Sequence, residues 1–223
     1  MKQSSAVKSL INAPYLLWSV LFIIAPMIMV VYYAFTDRNG DWTLANITAL
    51  GAYSQTFIRS IWYAFVATLI CLVLAYPLAY IMSRSSMSKQ RTIMMLVMLP
   101  MWMNFLIRTY SWITLLANTG IINTLLSKIG IGPLHMINTP GAVILGMVYN
   151  FLPYMILPIY SIMSKLDYRL VEAAQDLGSN NFTVFKKVVA PLSVPGIISG
   201  VTMVFVPSAS TFLVAQYLGG PDD

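Results

Sequence analysis

Apolar residues run almost unbroken through five windows, roughly 14–35, 61–82, 93–116, 141–163 and 194–216. Each is close to the about 20 residues a helix needs to cross a hydrocarbon core. None alternates apolar with polar positions as a barrel strand would, so all five are predicted to be helices. The fourth and fifth windows are separated by a long polar stretch, 164–193. Within it, Leu170-Val171-Glu172-Ala173-Ala174-Gln175-Asp176-Leu177 reads as an amphipathic helix ending at Gly178. Ser179 to Val189 reads as a second, and Pro191 is predicted to stop it before the last window. A turn between two spans needs only a few residues, so a hairpin of this size reads as a docking element.

The remaining segments are shorter. Residues 36–60 carry turn chemistry at Asp37-Arg38-Asn39-Gly40-Asp41. In 117–140, Ile121, Ile122, Leu125, Leu126 and Ile129 recur at helical spacing, with Asn123, Thr124 and Lys128 between them. That pattern predicts a short interfacial helix ended by Gly130 and Gly132-Pro133. Tyr15, Trp18, Tyr32 and Tyr33 mark the two ends of the first window as interfacial belts.

Composition agrees with the pattern. Of 223 residues, 58% are hydrophobic and 9% charged, against about 25% charged in soluble domains. The reading is an all-α integral membrane protein, a polytopic bundle of five spans in one domain. Lys2, Lys8, Arg84, Lys89, Arg91, Lys165, Arg169, Lys186 and Lys187 fall on one side, against Arg38, Arg59 and Lys128 on the other. The positive-inside rule puts the N-terminus and the polar hairpin in the cytoplasm. The net charge of +6 therefore reflects topology, and no basic domain exists for nucleic acid. The first window is long for a signal peptide and no A-x-A-like site follows it, so it reads as a retained span.

Chemistry is sparse. Cys71 and His135 are the only residues of their kinds, which excludes a disulfide within the chain and any cysteine-based metal site. There is no G-x-x-x-x-G-K-[ST], no H-E-x-x-H and no G-x-S-x-G. All seven acids, Asp37, Asp41, Asp167, Glu172, Asp176, Asp222 and Asp223, lie outside the windows. Ion-driven carriers and cation channels keep acids in the membrane, so this absence weighs against both, and an enzyme reading lacks its acid and base.

The third window holds Arg108. Asn104, Arg108 and Ser111 recur at helical spacing and predict one polar stripe, with Arg108 as an outer-gate residue; snorkelling between Tyr110 and Trp112 is the alternative. Pro153, Pro158 and Pro207 interrupt the last two windows and mark them as pathway wall or as plain packing. Gly196 and Gly200 form a G-x-x-x-G close-packing signal whose mate the sequence does not identify.

Glu172-Ala173-Ala174, Gly178 and Pro191 resemble the EAA loop of the membrane subunits of binding-protein-dependent ABC importers. Its pattern is E-A-A, three residues, G, nine residues, I-x-L-P. Val188 and Ala190 stand where the pattern has Ile and Leu. Leu99-Pro100-Met101-Trp102, Leu106 to Tyr110, Lys165-Leu166-Asp167 and Pro195 to Gly200 extend the resemblance to the spermidine/putrescine branch. It implies a type I importer permease fold and a transport subunit that is not an enzyme. It also implies a second homologous permease, a pair of ATPases that alone bind ATP, and an external polyamine-binding protein; no cofactor belongs to this chain.

Glu172, Ala173, Ala174, Asp176, Gly178 and Pro191 would couple to the ATPase, with Ala173 and Ala174 keeping one face small for a groove. Lys186 and Lys187 would face anionic membrane lipid. Asn104, Arg108, Tyr110, Tyr149, Tyr154, Pro153, Pro158 and Pro207 are the pathway candidates, and Phe151 and Tyr160 join the tyrosines as faces for a cation. With no acid in any span, the chain would hold a polyamine weakly. Such permeases normally carry a sixth span, and the tail Tyr217 to Asp223 stops short of one. The alternatives are a permease for another small solute and a truncated, transport-inactive membrane scaffold.

Overall fold

The structure, a computed structural model, describes residues 5–37, 40–167 and 169–219. Arg38 and Asn39 of the expected loop turn, and the tail from Gly220, lie outside the described residues. The chain divides into two compact units, 1–57 and 58–223.

In the first unit, α1 (Ser5–Ser19) runs through a π-helical turn, Val20–Ile24, into α2 (Ala25–Ala34). No residue from Asn12 to Ala34 is buried, so an apolar helix shows its whole circumference, as a lipid-facing span does. After it, Thr36 bridges Trp42, and the Asn46 side-chain amide donates to the carbonyls of Tyr33 and Thr36, each at 3.0 Å. These bonds fold the loop back on the helix end before the short α3 (Ala45–Ala49).

The second unit begins within α4 (Ser54–Arg84). It continues with α5 (Met87–Met98), α6 (Phe105–Leu116), α7 (Ile121–Lys128) and α8 (Pro140–Met163). The hairpin follows as α9 (Arg169–Asp176) and α10 (Asn181–Val184), then α11 (Ala190–Ser210) and α12 (Phe212–Leu218). Among the described residues, four stretches are long and apolar enough to cross a membrane, Asn12–Ala34, Ser54–Arg84, Pro140–Met163 and Asn181–Ser210, or five if the bent pair Met87–Trp102 and Phe105–Lys128 is one span. The core gathers on α8, where Val143, Met147, Met155, Ile156 and Ile159 are essentially inaccessible.

Two expectations are corrected. The window 93–116 is not one straight span. Pro100 sits in a 3₁₀ turn, Leu99–Trp102, Met103 is extended, and Asn104 caps a new helix by accepting from Leu106 N at 2.8 Å. The helical segments Met87–Trp102 and Phe105–Lys128 consequently meet at 91°. A proline lacks the donor that would continue the ladder, and an Asn cap restarts it.

Nor does Pro191 stop its helix. The helix runs from Asn181 to Ser210 through a π-helical turn, Phe185–Val189, in which Ala190 N–H reaches back to Phe185 O. The first unit repeats the device two residues before Pro26, where Ala25 N–H reaches Val20 O. The wider turn moves the bonding register ahead of a residue that cannot donate. At the other end, α11 stops at Ser210 and α12 restarts beyond Thr211, inside the expected window 194–216.

Helices α8 and α11 pack through glycine. A Cβ on Gly196 would stand 3.0 Å from Pro158 O and 3.1 Å from Ile159 Cα, and one on Gly200 would meet Met155 Sδ at 2.7 Å. The mate of the G-x-x-x-G signal is therefore the proline-bearing face of α8.

Candidate functional site: the polar hairpin and its anchorage

The hairpin starts where Asp167 Oδ1 accepts from Arg169 N at 3.0 Å, capping α9. It turns at Gly178, whose φ is +81°. Ser179 N reaches Ala174 O at 3.1 Å and Gly178 N reaches Gln175 O at 2.8 Å. That pair of bonds is a Schellman closure, which uses the left-handed conformation glycine adopts at little cost. Gly130 closes α7 in the same way, with φ +80° and bonds to Ser127 O and from Ile131 to Leu126 O. Asn180 then caps α10 by accepting from Thr183 N at 2.8 Å, and Gln175 Nε2 bonds Asn181 Oδ1 at 3.0 Å to tie the two arms.

Burial sorts the hairpin residues. Val171, Val184 and Val189 form a small core with Tyr80, Leu166, Ala174 and Val188. Glu172, Ala173, Asp176 and Gly178 are exposed. The paired alanines therefore do not share a face as expected: Ala173 looks outward and Ala174 packs inward. The sequence reading also missed two apolar side chains at the tip, Leu177 (87% exposed) and Phe182 (72% exposed). They lie on either side of the glycine turn, each a large apolar group left in the open. Their signal was available as apolar residues beside a turn with no core to enter.

The hairpin is fixed to the spans by aromatics. Phe185 meets the rings of Tyr76 and Tyr80 edge-on, at 5.6 and 6.3 Å. Ser193 Oγ donates to Ala190 O at 2.8 Å, so the Tyr76 hydroxyl donates to Ser193 Oγ, 2.9 Å away. Pro191 is exposed, between this bond and the π-helical turn.

The pathway candidates do not gather into one lining. Arg108 is buried, 7% exposed, so it does not snorkel; its Nε and Nη1 have no hydrogen-bond partner and its guanidinium lies 5.9 Å from the Phe105 ring centre. The expected polar stripe is not made. Asn104 is an exposed cap outside the helix, and exposed Ser111 bonds back to Ile107 O. Tyr110 is exposed and lies tilted against Tyr217 at 5.1 Å, while Tyr149 packs edge-on at 5.4 Å on Trp112. Phe151 is buried, Tyr154 is half-exposed, and Tyr160 donates to Gln90 Oε1 at 2.7 Å. Pro153 and Pro158 lie within an unbroken α8, and Pro207 lies near the end of α11, where its carbonyl accepts from Thr211 N.

Buried polar groups beyond the expected site residues include Asn150 and Asn123. Asn150 Nδ2 donates to Gly146 O, but its Oδ1 has no partner. Asn123, expected on a polar face, is buried and clamps Ala117 O and both backbone groups of Leu134. His135 is exposed beside an apolar cavity of about 470 Å³ between the 134–139 segment and the start of α8.

Residues 75–222 match the family described as binding-protein-dependent transport system inner membrane component. The spermidine/putrescine transport system permease protein PotB of Haemophilus influenzae is 42% identical over 91% of this chain and 74% of its own length. Its Escherichia coli counterpart is 37% identical over 91% and 78%. An inner membrane ABC transporter permease protein of Escherichia coli, YdcU, is 32% identical over 85% and 67%. In fold, the chain matches a bacterial ABC transporter involved in alginate import, with TM-score 0.73 at 20% identity, covering 96% of this chain and 78% of the other. The chain belongs to the inner membrane component family of binding-protein-dependent transport systems, whose members are transport components rather than enzymes.

Proposed function

We propose that this permease imports polyamines, spermidine and putrescine, as the membrane subunit of an ATP-driven transporter. The observation that carries the substrate is the 42% identity to a spermidine/putrescine permease across 91% of the chain. The exposed hairpin supports the coupling role. Leu177 and Phe182 enter a groove on an ATPase subunit, Glu172 and Asp176 meet basic groups at its rim, and Ala173 leaves room for close approach. ATP is bound and hydrolysed by a pair of such ATPases. Their closure moves the seated hairpin, and the stiff link from Phe185 through Tyr76 and Ser193 passes the movement into α4 and α11.

A second, homologous permease completes the path, and an external binding protein supplies the affinity. The excess of basic residues on one side supports a cytoplasmic N-terminus and hairpin. No acid lies in a span, so this chain gives passage over aromatic faces such as Tyr154 rather than tight binding. Arg108 serves as an outer-gate residue. Its two unpaired donors carry a desolvation cost in this conformation, which carbonyl partners in another conformation relieve.

The test is uptake of radiolabelled spermidine and putrescine by cells carrying the chain with its neighbouring transporter genes. ATP-dependent uptake that Gly178→Pro and Glu172→Lys both abolish, with weaker ATPase capture, supports the reading. Uptake of a different solute, with neither polyamine transported, overturns the substrate.

A further inference from the structure

Two buried groups on neighbouring helices each lack what the other offers. Arg108 of α6 is 7% exposed, and its Nε and Nη1 donate to nothing. Asn150 of α8 is 1% exposed. Its Nδ2 is engaged by Gly146 O at 2.9 Å, and its Oδ1 accepts from nothing. A buried polar group left unmet destabilises the conformation that holds it. Ser208 Oγ is unmet too, but a hydroxyl can rotate to a carbonyl of its own helix. The Asn150 oxygen, with its nitrogen held, has no such escape.

The register of the helices brings the two groups to similar depths. Leu116 near the end of α6 and Ala142 near the start of α8 line one cavity, and Trp112 meets Tyr149 at 5.4 Å. The helices therefore run antiparallel. On that register Arg108 falls opposite Pro153, about one turn of α8 from Asn150. The guanidinium leans toward Phe105, 5.9 Å from its ring centre, and so away from Asn150. A shift of α6 along α8 with a swing of the side chain brings its donors to the oxygen; packed helices slide by such steps.

The break in the third window leaves α6 free to shift. Met103 before it and Ala117 after it are both extended, so no helical ladder ties α6 to its neighbours. The other arm of the bend, α5, is already tied to α8, because Tyr160 donates to Gln90 Oε1 at 2.7 Å.

We propose that Asn150 Oδ1 is the acceptor that Arg108 reaches in the other state of the transport cycle, so that the pair latches α6 to α8. This names a carbonyl for the outer-gate role of Arg108 and rests on that reading. An amide suits a bond that must break in every cycle. A carboxylate in its place would hold the guanidinium, and a passing polyamine, more strongly.

The whole transporter is expressed with Arg108→Met, with Asn150→Leu, with both, and with Asn150→Asp alone or beside Arg108→Met. Uptake of radiolabelled spermidine and the detergent melt of the chain are measured. Arg108→Met and Asn150→Leu should each lower uptake about tenfold without lowering the melt, since each removes an unmet group from this conformation. Together they should cost no more than the worse of the two. Losses that multiply to about a hundredfold overturn the pair. Unimpaired uptake with Asn150→Leu overturns the pair alone, and unimpaired uptake with Arg108→Met overturns the outer-gate reading as well. Asn150→Asp keeps an acceptor, so its melt should fall only when Arg108→Met strands the new charge. An equal fall with and without Arg108 overturns the pair; this melt needs no substrate and holds whatever solute is carried.

Discussion

At Gly196 an added Cβ would stand 3.0 Å from a backbone oxygen of the neighbouring helix; at Gly178 it would meet nothing within 4 Å. The two glycines do opposite jobs. Gly196 supplies room, so that α11 can lie against Pro158 and Ile159 of α8. Gly178 supplies a backbone conformation, φ +81°, in open space at the hairpin tip. The seam between α8 and α11 is set by side-chain volume, whereas the hairpin is set by caps and one left-handed residue, with the small cluster Val171, Val184 and Val189 buried beneath it. The seam suits a rigid wall, and the hairpin suits a surface whose stability another protein completes.

The largest effect should come from filling the seam. Gly196→Val forces two backbones apart and should cost about 2–3 kcal/mol, seen as a clear drop in the detergent melting temperature. Gly200→Ala is the milder control, because the Met155 thioether it meets can move. Gly178→Ala should cost about 1–2 kcal/mol, the strain of a left-handed side-chain residue. That cost should stay local: faster proteolysis of the hairpin with little change in the melt would sharpen the contrast, and a collapse of the whole chain would break it. Leu177→Ser with Phe182→Ser should leave the melt unchanged and weaken ATPase capture about tenfold or more, as loss of apolar anchors does. The smallest change is Tyr76→Phe. It removes one half-buried hydrogen bond worth about 1 kcal/mol, and its reading is ATP hydrolysis that persists while uptake falls.

Much of this was legible in the sequence. Continuous apolar runs announced the long helices, Gly130 and Gly178 announced helix ends, and the polar hairpin stood out because nothing apolar explains it. The bend at Pro100 to Asn104 was missed because hydropathy stays high across a break that backbone chemistry makes: a proline without a donor, then an amide cap. Pro191 misled in the other direction, since a π-helical turn absorbs a proline that propensity reads as a stop. Arg108 shows the limit of spacing arguments. Asn104 lies outside the helix, so the count that joined it to Arg108 and Ser111 crossed a capping residue. The mate of Gly196 and Gly200 needed the third dimension, because small-residue spacing says that a neighbour comes close without saying which.

The π-helical turn at Phe185–Val189 also acts as a phase shifter. It places one more residue in a turn than an α-helix would, about 100° of azimuth. Side chains of α10 and those of α11 are thus out of step by that angle. Deleting one residue within the turn would leave the span's composition nearly intact and swing the hairpin around the span axis. An ATPase seated on it would then have to approach from a different compass direction.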